Sequence, residues 1–129
     1  MNRHFHLKSK FGVLLFATLT ASAFAQQTDW SGKNIDVSLR DKRIDGFNFE
    51  NAKAVKNVTN FQRANATDQP VSFRGADLRE VGFQNAVMNN PDFREANLEN
   101  AILSGADLRG SDFKEANLKG ANLYRATLL

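Results

Sequence analysis

The 129-residue chain has no cysteine, and its two histidines, His4 and His6, both lie within the first six residues. Without cysteine there is no disulfide, no lipid-bearing N-terminal thiol, no thiolate zinc site and no cysteine nucleophile. Proline occurs twice, and tryptophan and tyrosine once each. The longest apolar run, Phe11 to Ala25, is shorter than the roughly 20 residues a membrane-spanning helix needs.

That run follows a basic stretch carrying Arg3, Lys8 and Lys10, and it ends in the small-x-small pattern Ala23-Phe24-Ala25. A basic n-region, a short apolar h-region and such an ending predict a secretory signal peptide over residues 1–25, cleaved between Ala25 and Gln26. The expected location is therefore periplasmic or secreted, with no membrane span once the signal is gone. Removing Arg3, Lys8 and Lys10 leaves 14 of the 17 basic residues against 14 acidic ones, so the whole-chain charge of +3 belongs to the signal. A neutral mature chain predicts no nucleic-acid partner. Both histidines leave with the signal, which removes the Ser-His-Asp, Cys-His and His-zinc chemistries from what remains.

What is present is a repeat. From Val71 the sequence divides into blocks of five, among them ADLRE, ANLEN, ADLRG and ANLKG. The third position of every block is large and apolar: Phe73, Leu78, Phe83, Met88, Phe93, Leu98, Leu103, Leu108, Phe113, Leu118, Leu123 and Leu128. The first position is small or β-branched, mostly alanine with Val71, Val81 and Ser111, and Pro91 is the exception; the second is usually Asp or Asn. A period of five fits neither a helix at 3.6 nor a flat strand at 2. It fits a chain that turns a corner once per block, with positions one and three facing inward. Gly75, Gly105, Gly110 and Gly120, with Asn85, Asn90 and Asn100, stand at fifth positions, and both residue types tolerate the positive φ of a type II turn.

These blocks resemble the pentapeptide repeat family, over residues 71–129. The resemblance implies an all-β fold, a right-handed quadrilateral β-helix with four blocks per coil and about three regular coils. The sequence carries the corresponding 20-residue superperiod, since Asp92-Phe93-Arg94-Glu95-Ala96-Asn97-Leu98 returns as Asp112-Phe113-Lys114-Glu115-Ala116-Asn117-Leu118. Phe73, Phe93 and Phe113 are expected to stack in one column, and Leu78, Leu98 and Leu118 in the next.

Residues 36–70 read as irregular, degenerate coils. Phe49, Phe61 and Phe73 recur every twelve residues, which is two blocks plus a two-residue insertion, and Leu39, Ile44 and Phe49 are five apart. Residues 26–35, with the lone Trp30, read as an N-terminal lead or cap.

The residues give no catalytic site, no cofactor and no metal site. Asp92, Glu95, Asp112 and Glu115 would cluster on the Phe-column face, but Arg94 and Lys114 interleave with them, as in ordinary solvated ion pairs. Second-position Asp and Asn are expected to bond nearby backbone at the corners. Val87 and Ile102 break the polar rule at that position and should point outward on adjacent faces, with Tyr124 sharing the face of Ile102. The last coil has no terminal cap in the sequence, so Leu128 and Leu129 are expected at an exposed edge that invites another chain. These five residues are the candidate interaction set.

The expected function is a non-enzymatic scaffold or protein-interaction module of the bacterial cell envelope. Its partner is an unidentified protein or envelope component, or a second copy meeting the first through the C-terminal coil. The alternative is a purely structural spacer or a fragment of a larger assembly. The resemblance also implies protection of DNA gyrase by mimicry of DNA, but a neutral, exported chain lacks the negative surface and the location that activity requires.

Overall fold

The computed structural model describes residues 3–8, 14–19 and 28–129. Strands β1 (Arg3–Lys8) and β2 (Leu14–Leu19) pair antiparallel, Arg3 opposite Leu19 and Lys8 opposite Leu14. The expected cleavage point between Ala25 and Gln26 lies outside the described residues.

From Asp29 onward the chain is a right-handed β-helix with four faces. Each face is a ladder of parallel bridges between successive coils. The first face runs through Asp29, Asn48, Ser72, Asp92 and Asp112. The second includes β3 (Asn34–Ile35) and β4 (Lys53–Ala54) and continues through Asp77, Asn97 and Asn117. The third runs through Ser38, Asn60, Gly82, Ile102 and Asn122. The fourth begins at Arg43, includes β5 (Asn65–Ala66) and β6 (Val87–Met88), and ends through Asp107 and Thr127. Within each ladder the bonds alternate along the chain: Asp77 N donates to Ala52 O at 2.9 Å, and Leu78 N to Asn97 O at 2.8 Å. Among the described residues there is no helix, hence none long and apolar enough to cross a membrane.

The corners explain the five-residue period. Ala76 N donates to Phe73 O at 3.0 Å, closing a turn whose third residue, Gly75, has φ +67°. The same left-handed residue recurs at every fifth position from 75 to 125. Four of these are neither Gly nor Asn: Glu80, Glu95, Glu115 and Arg125, at φ +62°, +61°, +62° and +57°. The coil geometry imposes the turn even where the residue is unsuited to it, at about 1 kcal/mol each.

Third positions fill the interior. Trp30, Phe49, Phe73, Phe93 and Phe113 form one column; the Phe73–Phe93 rings lie 4.8 Å apart at 4° and the Phe93–Phe113 rings 5.0 Å apart at 2°. This matches the inter-strand spacing of 4.7–4.9 Å. A second aromatic column stands on the opposite face, where Phe61 stacks on Phe83 at 4.9 Å and 3°. The two columns meet edge to face. Phe83 lies 5.5 Å from Phe73 at 87° and 5.8 Å from Phe93 at 84°, the geometry that ring quadrupoles favour.

Coiling begins earlier than residue 36. Asp29 bridges Asn48, Trp30 stacks on Phe49 at 6.4 Å, and Asn34–Ile35 pair with β4. The described part of the expected N-terminal lead is thus built into the first two faces of the first coil. The two insertions inferred from the twelve-residue spacing fall at separate corners, because the second-face bridge at Lys53 is followed by a third-face bridge at Asn60, and Asn65 by Ser72. Thr59, buried, holds the first of them. Its Oγ1 accepts from Val55 N at 2.7 Å and donates to the Ile35 carbonyl of the preceding coil. Asp45 holds the second. Its Oδ1 accepts from the amides of Asp68 and Gln69 at 2.7 and 3.2 Å.

Candidate interaction surfaces

Second positions carry bridges on the outside of the coil, and their side chains are mostly engaged locally. Oδ1 of Asn48, Asn60, Asp92, Asn97, Asp112, Asn117 and Asn122 each accepts the amide two residues ahead, at 2.7–3.1 Å. The short polar side chain closes a turn of its own over the corner. The Asp/Asn ladder is therefore corner chemistry, as the sequence suggests.

The acidic cluster on the first face is neutralised in place. Arg94 lies 2.6 Å from Asp92 and 3.8 Å from Asp112 of the next coil, and Arg74 lies 2.8 Å from Glu95. The Arg94 hydrogen bond holds the Asp92 carboxyl below its ordinary range, and Asp92 raises the guanidinium in turn. The space between the stacked Asp92 and Asp112 is thus filled by a guanidinium. Among the described residues no three potential metal ligands gather at one point. Burial pushes Asp36 upward, but Asp36 is a single carboxyl on the first coil. Asp77, bonded by Arg79 at 2.7 Å, is lowered like Asp92.

The candidate contact residues separate. Ile102 and Tyr124 lie on the third face, 36% and 66% exposed. Val87 lies on the fourth face and is half-buried. Leu128 is an inward residue packed partly against the core, whereas Leu129 is fully exposed. A further exposed apolar residue, Val58, sits on the insertion that borders the third face, 39% exposed. Sequence reasoning passed over it because the position of that insertion cannot be read from spacing alone.

The two ends of the coil differ. At the first coil Ile35, Leu39 and Ile44 have no exposed surface. At the last coil the equivalent inward residues, Phe113, Leu118, Leu123 and Leu128, are only partly buried.

A four-sided parallel coil with one corner per five residues defines a β-solenoid. Residues 92–128 match the family model described as "Pentapeptide repeats", in eight copies. This segment is built of pentapeptide repeats. Among solved structures it is similar to a pentapeptide repeat protein of the Arabidopsis thaliana thylakoid lumen, at 31% identity and TM-score 0.36, covering 72% of this chain and 63% of that one. It is also similar to the pentapeptide repeat protein Rfr23 of the cyanobacterium Cyanothece, at 24% identity and TM-score 0.44, covering 71% and 64%. A third is HetL of the cyanobacterium Nostoc, a pentapeptide repeat protein involved in heterocyst differentiation regulation, at 21% identity and TM-score 0.24, covering 79% and 62%. The chain spans less than two thirds of the length of each of these three. No curated protein matches it.

Proposed function

We propose that this chain is an exported, non-enzymatic scaffold of the bacterial cell envelope that engages a protein through its C-terminal coil. The observation that carries the reading is the coil itself. Four parallel ladders close around one apolar core, and the outward Asp and Asn side chains are taken up by corner hydrogen bonds and ion pairs. That makes a rigid support whose strand edges favour pairing with further β-structure. A second copy of the chain supplies that β-structure with two-fold, self-complementary contacts. Export is supported by the basic start, the short apolar run and Ala23-Phe24-Ala25.

Sedimentation equilibrium of the protein starting at Gln26 tests the contact. A dimer at micromolar concentration that Leu128→Asp converts to monomer is the expected result. A soluble monomer, indifferent to that substitution, overturns it. N-terminal sequencing of exported material tests the location separately, with Gln26 as the expected first residue and Met1 as the contrary one. The rival reading is a spacer without a partner. Recovery of no envelope component on the immobilised mature protein, together with a monomeric state, would favour it.

A further inference from the structure

The coil is neutral as a whole but not face by face. On the third face and at its two edges stand Arg40, Lys56, Arg63, Arg79 and Arg125 against Asp41 and Glu80, a net charge of +3. The first face, opposite, carries the acids Asp29, Glu50, Asp92, Glu95, Asp112 and Glu115 against Arg74, Arg94 and Lys114, a net charge of −3. The second and fourth faces are close to neutral. Asp77 of the second face bonds Arg79 at 2.7 Å, and counting it as well leaves the third face at +2. Arg125 makes no ion pair among the described residues; its guanidinium lies 5.1 Å from the centre of the Tyr124 ring.

Apolar exposure falls on the same face. The large apolar side chains exposed among the described residues are Val58, Ile102, Tyr124 and Leu129, and all but Leu129 stand on the third face or border it. Lys56 and Arg79 lie at the edge shared with the second face, and Arg63 and Arg125 at the edge shared with the fourth. Ile102 and Tyr124 therefore lie between two basic margins. Beside Val58 a groove of about 440 Å³, with Arg40, Lys56, Arg79 and Ile102 in its lining, separates the insertion from the face.

Size and charge together select the partner. Four coil steps of about 4.8 Å and a width of about 10 Å give the face an area on the order of 200 Å². A stable protein partner needs about 800 Å² on each side. A soluble polyanion would answer the charge but leave Val58, Ile102 and Tyr124 in water. A membrane surface of anionic lipid takes up both. Its phosphates attract Lys and Arg, whose long side chains keep their charged ends among the headgroups. Apolar side chains reach the boundary between headgroups and acyl chains, where a tyrosine ring satisfies both its apolar body and its hydroxyl. The acidic first face then points away from the lipid.

We propose that the third face docks on a membrane surface of anionic phospholipid. The coil axis lies in the plane of the surface. Lipid phosphates are held by Arg125 and in the groove between Arg40, Lys56 and Arg79, and Ile102 and Tyr124 dip between them. This contact is separate from self-association, because Leu128 points inward behind the fourth face. Leu128→Asp therefore tests the one without disturbing the other.

Co-sedimentation with lipid vesicles gives the reading. The chain from Gln26 is the one to use, because every bridge of the coil joins residues from Asp29 onward and the apolar run 11–25 would itself partition into lipid. Vesicles of phosphatidylglycerol mixed with phosphatidylcholine should carry the protein down. Phosphatidylcholine alone should leave most of it in solution, and added salt should release it from the anionic vesicles. A basic residue near such a surface contributes about 1 kcal/mol, or about fivefold in partition. Lys56→Ala combined with Arg125→Ala should therefore weaken binding by about 25-fold, and Tyr124→Ala by at least about threefold. All three side chains are exposed, so these variants keep the coil. Lys114→Ala removes a charge from the first face and should leave binding unchanged. The proposal fails if neutral vesicles bind the protein as well as anionic ones, or if Lys114→Ala weakens binding as much as the paired substitution does. It fails equally if dextran sulfate holds the protein as tightly as the vesicles and Tyr124→Ala affects neither, since the face would then be a site for soluble polyanions.

Discussion

The side-chain oxygen of Asn90 occupies the place that a Cβ on Gly110, one coil further on, would need. The same relationship links Asn51 to Gly75, Asn85 to Gly105 and Asn100 to Gly120. Fifth positions are therefore paired between coils, an Asn amide lying against a residue that has no side chain. Gly110→Ala meets two costs. Its φ of +73° is unfavourable for alanine, at about 1 kcal/mol, and the Asn90 amide must swing away. In an Asn90→Ala background the second cost disappears. Denaturation of the two single variants and the double variant should show a coupling of at least about 0.5 kcal/mol. Strict additivity would mean that the amide does not lie where the structure places it.

Phe93 governs the stability of the coil. It has no exposed surface and touches Phe73, Phe83 and Phe113. Phe93→Ala should cost about 3–5 kcal/mol, since rings clamped above, below and opposite cannot collapse into the cavity. Arg94→Ala removes surface ion pairs only and should change stability by less than about 0.5 kcal/mol. Urea denaturation midpoints that coincide for the two variants would contradict the inward assignment of third positions.

Much of this architecture was legible because a solenoid writes its register directly into sequence. Strict spacing over 71–129 gave the first-face column of Phe73, Phe93 and Phe113 and placed Ile102 and Tyr124 on one face. Legibility failed where the step departs from five. Trp30, Ile35, Leu39 and Ile44 advance by five, four and five, and Lys33 and Lys42 replace the small residue expected before the inward one, so the start of the first coil read as a lead and its remainder as irregular coil. Phe61 and Phe83 are 22 residues apart rather than 20, which hid the second aromatic column. The positive φ of Glu80, Glu95, Glu115 and Arg125 has no compositional sign, because the fold and not the residue selects it.

Asp45 makes the second insertion sensitive to acid. Burial alone would raise its carboxyl, but the amides of Asp68 and Gln69 and the Arg43 guanidinium at 2.8 Å outweigh that and lower it below 3.8. A depressed carboxylate contributes stability that is present above its unfolded value and lost as pH falls through the folded one. Residues 67–70 should therefore stay docked at neutral pH and loosen only below about pH 4, before the core columns melt. Amide shifts of Asp68 and Gln69, followed by NMR from pH 6 to pH 2, should titrate with a midpoint below 3.8. A midpoint above it would mean that burial dominates. Asp45→Ala should give the loosened spectrum at every pH.

Thr59 carries a heavier load than any other polar side chain of the described core. It stands where the regular coils place an inward small residue, at Val81 and Ala101 of the same face, and its hydroxyl both accepts from Val55 N and donates to the Ile35 carbonyl. It is the only buried polar residue among those described. Thr59→Val keeps the shape and removes both bonds, leaving the Val55 amide and the Ile35 carbonyl to seek water at a covered corner. The expected loss is about 1–3 kcal/mol, most of it confined to the insertion. Hydrogen exchange at Val55 and Val58 should accelerate, while exchange at Leu98 and Leu103, two coils further along, should stay slow. Thr59→Ser, which retains the hydroxyl, should restore protection at Val55. If the valine variant protects Val55 as well as the parent does, the hydroxyl is not what pins the insertion.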